Sequence, residues 1–160
     1  MSHSGLKPQG LPRSRKITKA DAFASALRMR VCARTEDFCL QFMAHRVNKS
    51  ASVNTTSLEL LTENHAQLGL IIAKRFSKHA VRRNLIKRLA REAFRQRAAH
   101  LSAGLWVVRL QRNVNTVPLN TQQKRLWAVQ LTELFEQGQN FANRFASPVT
   151  VADEAHQGDA

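Results

Sequence analysis

Between Lys74 and Arg97, in the segment KRFSKHAVRRNLIKRLAREAFRQR, ten lysines and arginines stand against a single acid, Glu92. At 100° per residue Arg83, Lys87, Arg91 and Arg95 step at i+4 along one ridge of a helix, with Asn84 and Arg88 beside them. Val81, Leu85, Ile86, Leu89, Ala90 and Ala93 form the apolar side. Like charges at i+4 repel by roughly 0.2–0.5 kcal/mol per pair, so the ridge works against folding until an anionic partner neutralises it. A merely solvated face mixes both signs, and the acids that would make i+4 pairs are missing here. The chemistry open to this segment is electrostatic: it holds a polyanion.

Groups that could break bonds are not gathered in the same way. A nuclease acting through its own side chains draws on clustered carboxylates around metal ions or on a histidine pair for proton transfer. The six histidines, at positions 3, 45, 65, 79, 100 and 156, are scattered, and the eleven acids fall mostly in loops and tails. No Walker loop, glycine-rich dinucleotide turn or HExxH occurs. Cys32 and Cys39 lack a His/Cys partner at zinc-site spacing and read as free thiols in a reducing compartment. Phe23 has two readings, as a core residue or as a platform for an unpaired base beside a basic helix. Trp106 and Trp127 sit within apolar patterns and read as core.

The elements that must position these residues follow from hydrophobic period. Thr18 with Asp21 resembles a capping box and opens a short helix carrying Ala20, Phe23, Ala24, Ala26 and Leu27. Phe38 to Ala44 alternates as a strand, with Phe38, Leu40 and Phe42 on one face and Cys39, Gln41 and Met43 on the other. NKSASVNTT, from Asn48 to Thr56, is a polar loop, and Ser57–Leu61 and Leu68–Ala73 read as two further strands. LWVVRL, from Leu105 to Leu110, suits a buried strand after the basic helix. A last helix begins at Asn120 or Thr121 with Leu126, Trp127, Leu131, Leu134 and Phe135 on one stripe, and Gly138 stands where a left-handed C-terminal residue would end it.

The 160 residues suit one domain with a single core, expected over 16–138, between a flexible basic arm (1–15) and a disordered tail (139–160) whose last part, 147–160, is small and acidic. A formal net charge of +14 points to nucleic acid, and the 74–97 segment carries most of the excess. No stretch approaches 18 apolar residues and the basic N-terminus lacks an apolar signal core, so a cytoplasmic protein without membrane contact is expected.

The segment LGLIIAKRFSKHAVRRNLIKRLAREAFR resembles the signature of the bacterial ribonuclease P protein subunit, in which G-x-x-x-x-K-[KR] leads into a helix bearing R-N-R-I-K-R-x-x-R-E-x-F-R. Gly69, Lys74, Arg75, Arg83, Asn84, Ile86, Lys87, Arg88, Arg91, Glu92, Phe94 and Arg95 match in register. The chain departs from the pattern at Leu85, the third place of R-N-R. Phe76-Ser77-Lys78-His79 replaces the usual Gly-Asn and is one residue longer, and Leu105 stands near the place of the family's Asp before the last strand.

The resemblance implies an α+β fold: a single-domain α/β sandwich of order αβββαβα with a left-handed βαβ crossover, like domain 2 of ribosomal protein S5. It implies that a partner catalytic RNA, with Mg²⁺ held by that RNA, removes the 5′ leader of precursor tRNA, with one protein bound per RNA. Lys74, Arg75, Arg83, Asn84, Lys87, Arg88, Arg91 and Arg95 then fall on the RNA-binding motif, and Lys78 and Arg82 complete its cations. Phe23, Leu27, Cys39 and Gln41 fall near the leader cleft. The competing class is a non-enzymatic basic RNA-binding protein of ribosomal or RNA-chaperone type.

Overall fold

A computed structural model describes residues 10–45 and 65–146. After a 3-10 turn at Arg13–Arg15 come α1 (Ala20–Leu27), β1 (Val31–Arg34), β2 (Phe38–Ala44), β3 (Ala66–Ile71), α2 (Ala80–Arg97), β4 (Gly104–Leu110) and α3 (Thr121–Ala146). The order αβββαβα is as expected, but its first strand is a different one. β1 has only four residues, and the register shift between Val31 and Ala33 breaks the alternation that would have marked it. The expected strand Ser57–Leu61 lies outside the described residues, as do positions 1–9 and 147–160.

The sheet has the order β1-β2-β4-β3. β2 pairs antiparallel with both β1 and β4, and β3 runs parallel to β4. A parallel neighbour needs a crossover, and α2 supplies it, so the basic helix is tied to the sheet at both ends. Phe38, Leu40, Phe42, Leu68, Trp106 and Val108 face the layer made by α2 and α3, which contributes Ile86, Ala90, Phe94, Trp127, Leu131 and Phe135. Trp106 joins the layers, its ring centroid 4.5 Å from Phe42 and 6.4 Å from Phe135.

Two expected boundaries are corrected. α3 does not stop at Gly138 but continues to Ala146. Gly138 is a helix-interior contact point, where an added Cβ would meet Leu40 Cδ2 and lie 2.8 Å from Trp106 Cζ3. Its lack of a side chain lets α3 lie close to the sheet. At α1 the Thr18–Asp21 capping box does not form, because Lys19 is the N-cap and no side chain caps the helix. α3, by contrast, starts under a side-chain cap, Gln123 N donating to Asn120 Oδ1 at 2.8 Å.

Residues expected in the N-terminal arm lie against the sheet. Leu11 is buried and the Arg15 guanidinium donates to Ala66 O, and just beyond the expected arm Ile17 N donates to Leu68 O. α1 then crosses the outer face of the sheet, packing Ala26 against Leu105 and Val107 with Ala22, Phe23, Leu27 and Met43 around them.

Candidate nucleic-acid interface

The helix carrying the ridge begins at Ala80, so Lys74, Arg75 and Lys78 project from the preceding loop rather than from α2. α2 buries Arg82, Ile86, Ala90, Ala93 and Phe94, with Leu85 and Leu89 half-buried at the margin. Val81, expected on the apolar side, is 71% exposed. The buried stripe is rotated toward Arg82 because α2 must satisfy the loop after β4 as well as the sheet. On the open side lie Asn84, Arg88, Arg91 and Arg95, with Lys87 half-buried. Asn84, Arg88, Arg91 and Arg95 border a hollow of about 640 Å³ together with Gly10, Leu11, Leu89 and Glu92.

Lys87, Arg88 and Arg91 take part in no ion pair among the described residues. Arg95 does: it reaches Glu92 at 2.7 Å, one turn back on the same helix. That hydrogen bond holds the Glu92 carboxyl below the usual carboxylate range. Glu92 is the one acid on this face, and it competes with any phosphate for Arg95.

Two arginines counted as RNA contacts from the sequence are engaged in holding backbone. Arg82 is 9% exposed, and its guanidinium donates to the carbonyls of Val114, Asn115 and Val117 at 2.5, 2.7 and 2.7 Å. It is therefore withdrawn from the RNA-contact set. Arg83 donates to Ser77 O at 2.9 Å and Lys78 O at 2.5 Å, which fixes the entrance to α2. Helical periodicity shows neither engagement: the carbonyls that Arg82 holds lie more than thirty positions away, and those that Arg83 holds belong to the loop before the helix, whose path the helical period does not give.

The second candidate set gathers on the outer face around α1. Phe23 is half-buried and packs on the strand at Gly69, where a Cβ would come within 2.6 Å of its ring. Leu27, one turn further on, is also half-buried. Gln41 and Cys39 are 3% and 5% exposed and offer little surface to a ligand. Gln41 instead donates at 2.8 Å to Leu27 O and Met29 O, tying the end of α1 to β2. This is a C-terminal cap supplied from the sheet.

Cys39 belongs to a row across the sheet, Arg34–Cys39–Arg109–Ile71, next to the row that α1 covers. Burial raises the Cys39 thiol pKa, while Arg109 and then Arg34 pull it back. Burial likewise pushes Cys32 up to about 11, so neither thiol is an activated nucleophile. Arg34 and Arg109 are the accessible cations of this row, and both were missed in the sequence. The signal was present: Arg109 interrupts the apolar run LWVVRL at the position that alternation places on the outer face.

Among the described residues no group of three or more His, Cys, Asp or Glu could hold a metal ion, and no helix is long and apolar enough to cross a membrane.

Comparison with known proteins agrees with this arrangement. The family model described as Ribonuclease P matches residues 11–146. The ribonuclease P protein component of Ralstonia pickettii is 34% identical over 127 residues, covering 78% of this chain and 79% of that protein. That of Burkholderia mallei is 35% identical over 99 residues, with 62% of this chain matched to 60% of the relative's length. The Staphylococcus aureus RNase P protein structure aligns with a TM-score of 0.57 at 20% identity, over 79% of this chain and 97% of that one, a likeness of fold. With a family match that runs from Leu11 through the basic helix to the end of α3, the chain belongs to the ribonuclease P protein component family.

Proposed function

We propose that this chain, as part of a ribonuclease P complex, binds the catalytic RNA through the open face of α2 and the loop before it. In this reading it binds the 5′ leader of precursor tRNA in the groove beside α1. The observation that carries the reading is the stripe Asn84, Lys87, Arg88 and Arg91, cationic at three positions and free of ion pairs among the described residues. Lys74, Arg75, Lys78 and Arg95 flank it. Two polyanions repel, and a cationic protein between them releases counterions from both, which raises substrate affinity and lowers the divalent metal concentration required. On the leader side Phe23 and Leu27 form the apolar wall for an unstacked base, and Arg34 and Arg109 neutralise the strand that carries it.

Mg²⁺ belongs to the RNA in this reading. No step is assigned to a protein-held ion. The complex acts in the cytoplasm with one protein per RNA. Purified protein alone is expected to leave precursor tRNA intact, and adding the cognate RNA to restore cleavage at modest Mg²⁺. Cleavage surviving removal of all RNA would overturn the assignment of catalysis to the RNA. RNA binding without any stimulation of leader removal would favour the plain RNA-binding class.

The leader groove has its own test. Phe23→Ala is expected to weaken binding of precursor tRNA by roughly 1–3 kcal/mol, the scale of a lost base–aromatic stack, while mature tRNA changes little. Phe23 also packs on Gly69, so thermal unfolding must accompany the two titrations. A stability loss with equal weakening of both tRNAs would make Phe23 a packing residue only.

A further inference from the structure

We propose that Arg82 and Asn115 are positioning residues for RNA binding: from behind the interface they hold the loop Lys74–Lys78 in its binding shape before RNA arrives. The inference rests on the reading of that loop as an RNA contact.

Two chains of contacts begin at Arg82. Its guanidinium holds Val114 O, and Val114 N donates to Phe76 O at 2.8 Å. The Phe76 ring in turn lies 4.6 Å beneath the guanidinium of Arg75. Along the second chain Arg82 holds Asn115 O at 2.7 Å, and Asn115 Oδ1 accepts the Lys78 amide at 2.7 Å. Asn115 is itself pinned, its amide donating to Asn113 Oδ1 at 2.9 Å. Each chain ends on a loop cation, Arg75 or Lys78, whose side chain is exposed.

The segment needs such a hold. It has no helical or sheet ladder of its own, only a turn in which Phe76 N and Ser77 N share Ala73 O. Left loose, the loop would lose backbone and side-chain freedom when RNA ordered it, at a cost in affinity. A buried guanidinium that gathers three carbonyls removes that cost in the free protein: it holds Asn115 O and Val117 O, and reinforces Val114 O, which also accepts Val117 N at 3.3 Å. The role differs from direct contact in one measurable respect. A phosphate contact contributes about 0.7–0.9 to the slope of log affinity against log salt, and a positioning residue contributes nothing to it.

The test compares Arg82→Met, which keeps the stem and removes the donors, with Asn115→Ala, which cuts only the link to Lys78. RNA binding by full-length protein is titrated across a salt series well below each variant's unfolding midpoint. Lys87→Ala serves as the direct-contact control. Arg82→Met is expected to bind about tenfold more weakly at every salt concentration, with an unchanged slope. Asn115→Ala should lose less, and the double variant less than the product of the two losses, because both act on one loop.

A slope reduced by one phosphate would make Arg82 a direct contact and overturn the proposal. An affinity loss that merely follows the unfolded fraction, or no loss in either variant, would overturn it as well. If Lys87→Ala also left affinity and slope unchanged, the failure would lie with the interface itself rather than with the role of Arg82.

Discussion

The Lys87→Ala/Arg88→Ala/Arg91→Ala triple variant is expected to lose about 2–3 units of salt slope in RNA binding, which is about a hundredfold in affinity near 0.15 M salt when extrapolated from 1 M. These three cations are chosen because, among the described residues, they have no ion pair and hold no backbone carbonyl. Arg83 is left in place because it anchors Ser77 O and Lys78 O. The fold should persist and α2 should gain slightly, since like charges three and four positions apart are removed and alanine favours the helix. A single variant, Glu92→Gln, tests the same face in the opposite direction. It frees Arg95 from its 2.7 Å partner and is expected to raise the slope by at most one phosphate contact. Salt titrations with circular dichroism on each variant decide the matter. A native triple variant that kept wild-type affinity and slope would place the RNA elsewhere.

The largest expected effect on stability belongs to Asp37, a residue with no part in the RNA reading. It sits in the turn between β1 and β2 and is 3% exposed. Its Oδ2 accepts Gln130 Nε2 at 2.9 Å and Trp127 Nε1 at 3.1 Å, both from α3. Its own amide donates to Gln130 Oε1 at 2.9 Å, and Arg112 lies 3.4 Å from Oδ1. The network joins α3 to the edge of the sheet and to the start of the loop after β4. Asp37→Ala removes the acceptor and leaves the Trp127 indole N–H and the Gln130 amide buried without partners. It is expected to cost about 3–5 kcal/mol, the scale for breaking one side of a buried charged network. Chemical unfolding curves measure this directly. A loss below about 1 kcal/mol would mean that water enters and replaces the carboxylate.

Sequence periodicity recovered the elements whose faces are strongly two-sided. Phe38, Leu40 and Phe42 do face the α2/α3 layer while Cys39, Gln41 and Met43 lie on the opposite face, Gln41 and Met43 against α1 and Cys39 one row beyond it, because alternation in a strand allows no other arrangement. Trp106 and Trp127 are fully buried, as their apolar neighbours required. β1 escaped because four residues with a bulge carry no period, and the end of α3 was misplaced because glycine can mark either a helix terminus or a close approach.

By itself the sequence determined that this protein is basic, that its charge is concentrated on one helix and the loop before it, and that the register of those residues is that of the ribonuclease P protein family. Those properties are local: charge and helical phase depend on residue type and spacing alone. Tertiary structure decided which cations are available. Arg82 and Arg83 are indistinguishable from Lys87 and Arg88 as a string of charges, yet they are committed to carbonyls of Ser77, Lys78, Val114, Asn115 and Val117. Only the folded chain brings those carbonyls to the helix, and a guanidinium that finds buried backbone acceptors is no longer free to meet a phosphate. The same holds for Gln41, which caps α1, and for Arg34 and Arg109, which meet on one row only when β1, β2 and β4 pair.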